Sequence, residues 1–383
     1  MTESQTIRDF QISIPEHAIE DLKSRLRNTR WPEAETVDDW TQGVPLAWLR
    51  DVCDYWADGY DWRRVEAELN ETGSHVLSIE GFDIHFLHQR SSDPDATPLL
   101  MTHGWPGSVI EFLDVIPRLT NPAAFGLAGQ PAFHVVAPAL PGYGFSTRPA
   151  AVGVGVEKII SLWARLMDQL GYDRYIAQGG DWGSEVSLGL AQANPACIGA
   201  HVNFLVAQPP GPVLADPTAD EARSLAASAE VYRSGMGYAQ LQSTRPQTLG
   251  YGLTDSPVGQ AAWILEKFYF WTDNPGDPRD TIRIDRLLDN VSLYWFTATA
   301  ASSARLYWES AARFGADTIT APVACSVFPA ELFRPSRRWA ESRLRTLVSW
   351  SEPPRGGHFA AMEQPGLFAD EVRQASAMLG ART

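Results

Sequence analysis

Cysteine is scarce in this chain: Cys53, Cys197 and Cys325 are the only three among 383 residues, an odd number without metal-ligand spacing. That excludes a disulfide framework and a cysteine-based metal site, and makes a reducing compartment, the cytoplasm, the expectation. Long apolar runs are lacking too. No stretch approaches the ~20 residues that a membrane-spanning helix needs, and the first twenty residues are polar and mixed in charge, unlike a signal peptide. Basic residues are outnumbered, 31 Lys and Arg against 46 Asp and Glu, leaving a formal net charge of −15. Nucleic-acid binding needs a basic face and is excluded on that ground. No internal repeat or low-complexity tract occurs. What is plentiful is hydrophobic material, 44% of the residues, enough for one large core with additions to it.

The chain is organised around Tyr175–Asn194. A short β-prone run, Tyr175–Ala177, enters a glycine-packed turn, and a run with apolar Val186, Leu188, Leu190 and Ala191 leaves it as a helix. Gly179, Asp181 and Gly183 fit the pattern Gly-x-nucleophile-x-Gly, in which small neighbours let one side chain occupy a strained turn above a sheet. Here that side chain is a carboxylate. The competing reading of Gly-Gly-Asp-Trp-Gly is a tight turn whose aspartate caps the following helix.

Upstream, Ile19, Leu22 and Leu26 recur at helical spacing between Pro15 and Asn28, and no strand signal precedes Val76. His75–Ile79 and Ile84–His88, split by Glu80-Gly81, predict a hairpin. After a polar linker the pattern changes to strands alternating with helices. Leu99–Thr102 ends in His103-Gly104-Trp105-Pro106-Gly107, and Ile110–Leu119 reads as a helix; Phe133–Ala137 ends in Pro141-Gly142-Tyr143-Gly144, and Glu157–Leu170 reads as a helix. Ile198–Val206 reads as the next strand. The alternation stops near Pro209, where about a hundred helical, aromatic residues intervene. It resumes with Val323–Phe328, a helix near Ser336–Leu344, a strand at Leu347–Trp350 and a last helix around Pro365–Leu379. This is the pattern of a mostly parallel sheet flanked by helices, whose sites lie at the carboxyl ends of the strands. The expected organisation is an N-terminal extension with the first hairpin (1–92), a core (93–208 and 318–383) and a helical lid (209–317) that excludes water from a reactive site.

A hydrolytic site on such a turn needs a nucleophile, a base and a group to orient the base, in that chain order. Asp181 is the first, and His358, in Pro354-Arg355-Gly356-Gly357-His358-Phe359 after the last strand, is the base. His75, His85, His88, His134 and His201 fall in strands and read as packed or solvated; His103 reads as shaping its own loop. Glu331, in Phe328-Pro329-Ala330-Glu331, precedes His358 by enough for one helix and one strand and is the orienting acid. It is preferred over Asn203, which carries no charge, and over Glu309 and Asp317, which fall in the lid. A carboxylate nucleophile suits displacement at a saturated carbon and forms an alkyl ester. With a reference pKa near ~3.9 an accessible aspartate is ionised at neutral pH without help. The histidine is then free to deprotonate a water that cleaves the ester, while backbone N–H groups of Trp105 and Trp182 hold the oxyanion. Neither a cofactor nor a metal is called for.

From Phe10–Pro15 and Arg30-Trp31-Pro32 through His103–Gly107, Gly179–Ser184 and Ser256-Pro257-Val258-Gly259 to Arg355–Ala361, nearly the whole chain resembles the epoxide hydrolases of the α/β-hydrolase superfamily, in their microsomal-type branch with an N-terminal extension. The resemblance implies the α/β-hydrolase fold and trans addition of water to an oxirane, giving a vicinal diol, with Asp181 as nucleophile and His358 and Glu331 activating water. It also implies two lid tyrosines that bind the epoxide oxygen and protonate it. Spacing cannot pick two of the eleven tyrosines; the resemblance points to Tyr238 and to Tyr307 in Ala304-Arg305-Leu306-Tyr307-Trp308. Arg233–Tyr238 is shifted by one residue relative to the family, so Tyr232 is the alternative to Tyr238. Microsomal members carry a membrane anchor before the Phe10 region, where this chain has nine polar residues, so the expectation is a soluble enzyme without a membrane partner. Related soluble enzymes act on bulky aromatic epoxides in secondary metabolism, including antibiotic pathways, with which the aromatic lid is compatible. Two rival readings remain open: a haloalkane dehalogenase, which would need halide-binding side chains where Tyr238 and Tyr307 stand, and a catalytically silent binding protein, which would not need Asp181, Glu331 and His358. Monomer and homodimer are both open.

Overall fold

The protein was analysed as a computed structural model that describes residues 7–380. Residues 1–6 of the polar leader before Phe10 lie outside the described part. Nine strands form one sheet: β1 (Arg8–Asp9), β2 (Ser74–Ile79), β3 (Phe82–Gln89), β4 (Thr97–Thr102), β5 (Phe133–Pro138), β6 (Tyr175–Gly179), β7 (Cys197–Val202), β8 (Ile319–Ser326) and β9 (Leu344–Ser351). Their spatial order is β1-β2-β3-β5-β4-β6-β7-β8-β9. From β5 to β9 every pairing is parallel, whereas β1, β2 and β3 join the edge antiparallel. The parallel strands are covered on both faces, which is why β4, β5 and β6 are mostly apolar, broken only by single polar residues such as His134 and Gln178. The helix Val156–Gln169 shows how the layers bind: Ile159, Leu162, Trp163 and Leu166 recur three and four apart and are fully buried, worth roughly 1.5–3 kcal/mol each.

Strand order places the chemistry. The connections from β4 run outward one way and those from β6 the other, so the sheet has its switch point between them, with Thr102 beside Gly179 at the carboxyl ends. The loops after β4 and β6 therefore open into one crevice. Seven α-helices lie between β7 and β8, the longest being Pro257–Trp271 and Ile284–Thr297. The N-terminal helices Leu46–Asp58 and Trp62–Glu71 clamp this inserted layer: Trp56 donates to Ser292, Tyr60 to Asp289, and Arg286 bridges Glu68, Asp114 and Asp289 at 2.9–3.2 Å. Among the described residues no helix is long and apolar enough to cross a membrane.

Several sequence expectations need correction. A strand does precede Val76: β1 pairs Arg8 with Val76 and Asp9 with His75, but two exposed residues carry no periodicity to read. The helix expected over Ile110–Leu119 is a 3₁₀ turn at Val109–Phe112 followed by a separate helix, Ile116–Thr120, with Pro117 in its first turn; a proline is tolerated only there, since it has no N–H to donate. The strand expected over Ile198–Val206 stops at Val202. The helix expected near Ser336–Leu344 is only Arg337–Ala340, because Leu344 already begins β9. The hairpin stands, closed by Glu80 and Gly81 at φ 50° and 83°, as a two-residue turn matched to strand twist requires.

Candidate active site

Asp181 sits at φ 50°, ψ −128°, a backbone state that a side chain rarely adopts, between β6 and the helix Trp182–Ala193. Two glycines make the sharp turn feasible: a Cβ on Gly183 would overlap the Thr102 carbonyl, and one on Gly104 would overlap the Asp181 carboxylate. The Asp181 side chain makes no capping bond to its helix. It turns into the crevice instead, where the backbone N–H of Trp105 donates to Oδ1 at 2.8 Å and the N–H of Trp182 also donates to the carboxylate.

The imidazole of His358 spans two carboxylates. Nδ1 is 2.8 Å from Glu331 Oε1 and 3.1 Å from Oε2, and Nε2 is 3.7 Å from Asp181 Oδ2. Glu331 is pinned in turn by the N–H of Leu332 at 2.7 Å. Burial would push the imidazole down, but the charge and hydrogen bond of Glu331, with Asp181 and Glu111 behind, outweigh it and raise His358 to about 9. For Asp181 burial wins in the other direction: its carboxyl is raised above the usual range against the opposing pull of His358 and the two N–H groups. Asp181 is thus neither accessible nor ordinary in acidity, contrary to the expectation from sequence, because the fold buries it.

Tyr238 and Tyr307, 9% and 5% exposed, close the crevice from the inserted helices. Tyr238 stacks on Trp105 at 5.0 Å and 10°; Tyr307 meets Trp182 edge-on at 4.9 Å; the two phenol rings lie 5.8 Å apart. Burial pushes both hydroxyls above the ordinary tyrosine range, so both are protonated at neutral pH. Tyr232, the alternative, is 54% exposed and packs on Phe333 at 5.3 Å; it lines the same cavity but, unlike the pair, is not buried. One π-helical turn, Val231–Gly235, stands just before Tyr238; such a turn holds one residue more than an α-helical one. The crevice widens into a cavity of about 810 Å³ lined by Asp181, Trp182, Phe204, Tyr238, Tyr307 and Phe333, among others.

The other candidates fall elsewhere. His103 accepts from the N–H of Leu140 and donates from Nδ1 to the Gly104 carbonyl, and burial lowers it to about 4, so it is a neutral loop strut. His201 bonds Ser326 and His85 bonds Ser74. Asn203 accepts from Gln178 beside the Gly180 turn, and Glu309 receives the N–H of Gly153. Two acids went unread. Glu363 accepts the N–H groups of Gly357, Phe359 and Asp273, fixing the histidine loop, and its place five residues after His358 was the available signal. Glu111 is raised to about 8 by burial, with the charge of Asp181 adding to it and that of His358 opposing. Among the described residues no cluster of His, Cys, Asp or Glu could hold a metal ion.

Residues 7–112 match the family model described as epoxide hydrolase N terminus, and residues 97–216 match that of the alpha/beta hydrolase fold. Over 98% of its length the chain is 53% identical to a Stigmatella aurantiaca (strain DW4/3-1) protein with a provisional epoxide hydrolase name, covering 86% of that protein. It is 34% identical to epoxide hydrolase 1 of Sus scrofa, covering 98% of this chain and 90% of that one. Among solved structures, juvenile hormone epoxide hydrolase from the silkworm Bombyx mori superposes with a TM-score of 0.91 at 31% identity, covering 99% and 96% of the two chains. Aspergillus niger epoxide hydrolase gives 0.89 at 31%, covering 99% and 97%. A mostly parallel sheet with its crevice at the switch point, and relatives alike from end to end, lead to one placement: the chain belongs to the epoxide hydrolase family of the α/β-hydrolase superfamily.

Proposed function

We propose that the protein adds water to epoxides, giving vicinal diols, through an ester formed on Asp181. The observation that carries this reading is the Asp181 carboxylate, which stands 3.7 Å from the imidazole of His358 and lines one cavity with two protonated phenols. In the first step the carboxylate attacks an oxirane carbon. The carbon–oxygen bond breaks, and the oxygen takes a proton from the phenol of Tyr238 or Tyr307. In the second step His358, oriented by Glu331, deprotonates a water that attacks the ester carbonyl carbon, and the N–H groups of Trp105 and Trp182 hold the oxyanion. Collapse releases the diol. Of the two water protons one ends on the leaving oxygen and the other restores the phenol. The inserted helices of 209–317 act as the lid that keeps bulk water from the ester.

The walls of Phe204, Phe314, Phe333 and Trp182 suit a bulky or aromatic epoxide. A single turnover with enzyme in excess in ¹⁸O-water tests the route. The first diol should be unlabelled because its new oxygen comes from Asp181, and immediate full labelling would mean direct attack by water.

A further inference from the structure

Lys267 is an anomaly in a lid of aromatic side chains. It lies on the helix Pro257–Trp271, it is 4% exposed, and its ammonium sits 4.6 Å above the ring centroid of Tyr238. Trp263 and Trp271 border the same ammonium at 5.8 and 5.9 Å. Its ionic partner is Glu266 on its own helix, at 3.0 Å. A buried lysine is costly unless its charge is used, and a solvent-facing ion pair would not require this position. Nothing in the steps above assigns it a task.

We propose that Lys267 is the positioning residue for Tyr238, holding the phenol between itself and Trp105 and stabilising the negative charge that the ring acquires as it gives its proton to the opening epoxide. The inference rests on Tyr238 being a proton donor. A cation over an aromatic face is attracted by the ring's quadrupole, and the attraction grows as phenol becomes phenolate. Trp105 stacks on Tyr238 at 5.0 Å, and the indole of Trp271 meets it edge-on at 5.2 Å, so the phenol has little freedom to leave the cation. The effect is confined to ring opening, because ester hydrolysis develops its charge at Asp181.

The groups facing Lys267 are Glu266 from its own helix and Tyr238 from the helix Gly237–Thr244. Burial, against the pull of Glu266, lowers the lysine from its usual range, while burial raises the Tyr238 phenol. On rising pH the ammonium is therefore lost before the phenolic proton, and the alkaline limit of ring opening belongs to Lys267.

The test is a cycle of Lys267→Met, Tyr238→Phe and the double variant, with ring opening followed by stopped-flow fluorescence of the tryptophans that pack on Tyr238. Lys267→Met should slow ring opening by about tenfold to a hundredfold, the scale of a close charge in a partly screened interior, and leave ester hydrolysis unchanged. In the Tyr238→Phe background it should have little further effect. Lys267→Arg should restore ring opening and carry the alkaline limit to higher pH, since a guanidinium does not titrate there. Equal losses with and without the tyrosine hydroxyl, or equal loss in both half-reactions, would overturn the inference and leave a packing role. If Lys267→Met does not fold, the pH profile of Lys267→Arg decides alone: an unmoved alkaline limit overturns the inference. Undiminished ring opening in Tyr238→Phe itself would instead remove the proton-donor reading on which the inference stands.

Discussion

Nε2 of His358 stands 3.7 Å from Oδ2 of Asp181, close enough for the two charges to interact and too far for a hydrogen bond. The imidazole is therefore not needed to deliver the aspartate to a substrate carbon; its other nitrogen is engaged by Glu331, and the free one faces the place where an ester would form. His358→Gln should accordingly pass through ring opening and stop. Hydrolysis should fall by about 10²–10⁴-fold, the usual contribution of a general base. Mass spectrometry should then find the enzyme heavier by one substrate. Finding no adduct under substrate excess would take His358 out of the hydrolytic step.

The acidities give a pH signature for each half-reaction. At rest His358 is raised to about 9, with burial opposing and Glu331 followed by Asp181 supporting the proton. Esterification removes the Asp181 charge, so the imidazole must fall below that value and become the base only once the ester exists. Hydrolysis should rise with pH to a plateau whose midpoint lies below about 9. Ring opening needs ionised Asp181, which burial raises, so its acid limb should lie above the ordinary carboxylate region near ~3.9. Transient kinetics across pH would separate the two, and a hydrolysis midpoint at or above the resting titration of His358 would contradict the charge coupling. The same raised value bears on stability. Protonated His358 favours the folded state below the unfolded value of about 6.5, and that contribution is lost as pH rises through about 9, a slope that His358→Gln should flatten.

Gly104 and Gly183 should fail in different ways when given a methyl group. At Gly104 the new Cβ meets both the carboxylate and the Cβ of Asp181, so the carboxylate must rotate and the turn that carries it must shift. Gly104→Ala should lower the melting temperature less than Gly183→Ala does, while ring opening collapses. At Gly183 the obstacle is the backbone of Thr102 and His103, which cannot move without opening β4 from β6. Gly183→Ala should lower thermal stability by several degrees or fail to accumulate. Equal melting temperatures for the two would refute the distinction.

What the sequence made legible was whatever is local. Asp181, Trp105, Trp182 and His358 sit on turns at strand ends whose glycines and prolines announce the turn, and Glu331 followed from chain order. Tyr238 and Tyr307 needed a family likeness, because a phenol on a helix is marked by nothing until its partner across the cavity is known. Glu111 and Lys267 are invisible in the sequence for the same reason: each takes its meaning from groups brought to it by the fold, whereas Glu363 bonds Gly357 and Phe359 within its own loop and is marked by that nearness. The misread helix over Ile110–Leu119 shows the converse, since its apolar spacing was helical but Pro117 forced a restart. The burial of Asp181, and hence its altered acidity, depends on residues such as Tyr238 and Tyr307 of the inserted helices and is a property of the assembled molecule.

Arg286 ties the inserted helices to the rest of the molecule. It is almost fully buried on the helix Ile284–Thr297 and holds Glu68 at 2.9 Å and Asp114 at 3.0 Å, while Asp289, also gripped by Arg64 at 2.5 Å and Tyr60 at 2.9 Å, lies 3.2 Å away. The N-terminal helices, the loop after β4 and the inserted helices thus share one charge network. Arg286→Met keeps the length of the side chain but takes a cation from three carboxylates, of which Asp289 is wholly enclosed and is left to Arg64 and Tyr60. Breaking a buried pair by removing one partner costs about 3–5 kcal/mol, mainly through the charge left behind. Urea unfolding should register a loss of that order at neutral pH. The deficit should shrink on acidification, because Asp289, already raised by burial, can then take up a proton and lose the buried charge that Arg64 alone is left to balance. A loss under about 1 kcal/mol, the worth of an exposed pair, would show that the inserted helices are held by their apolar contacts alone and that the network is incidental.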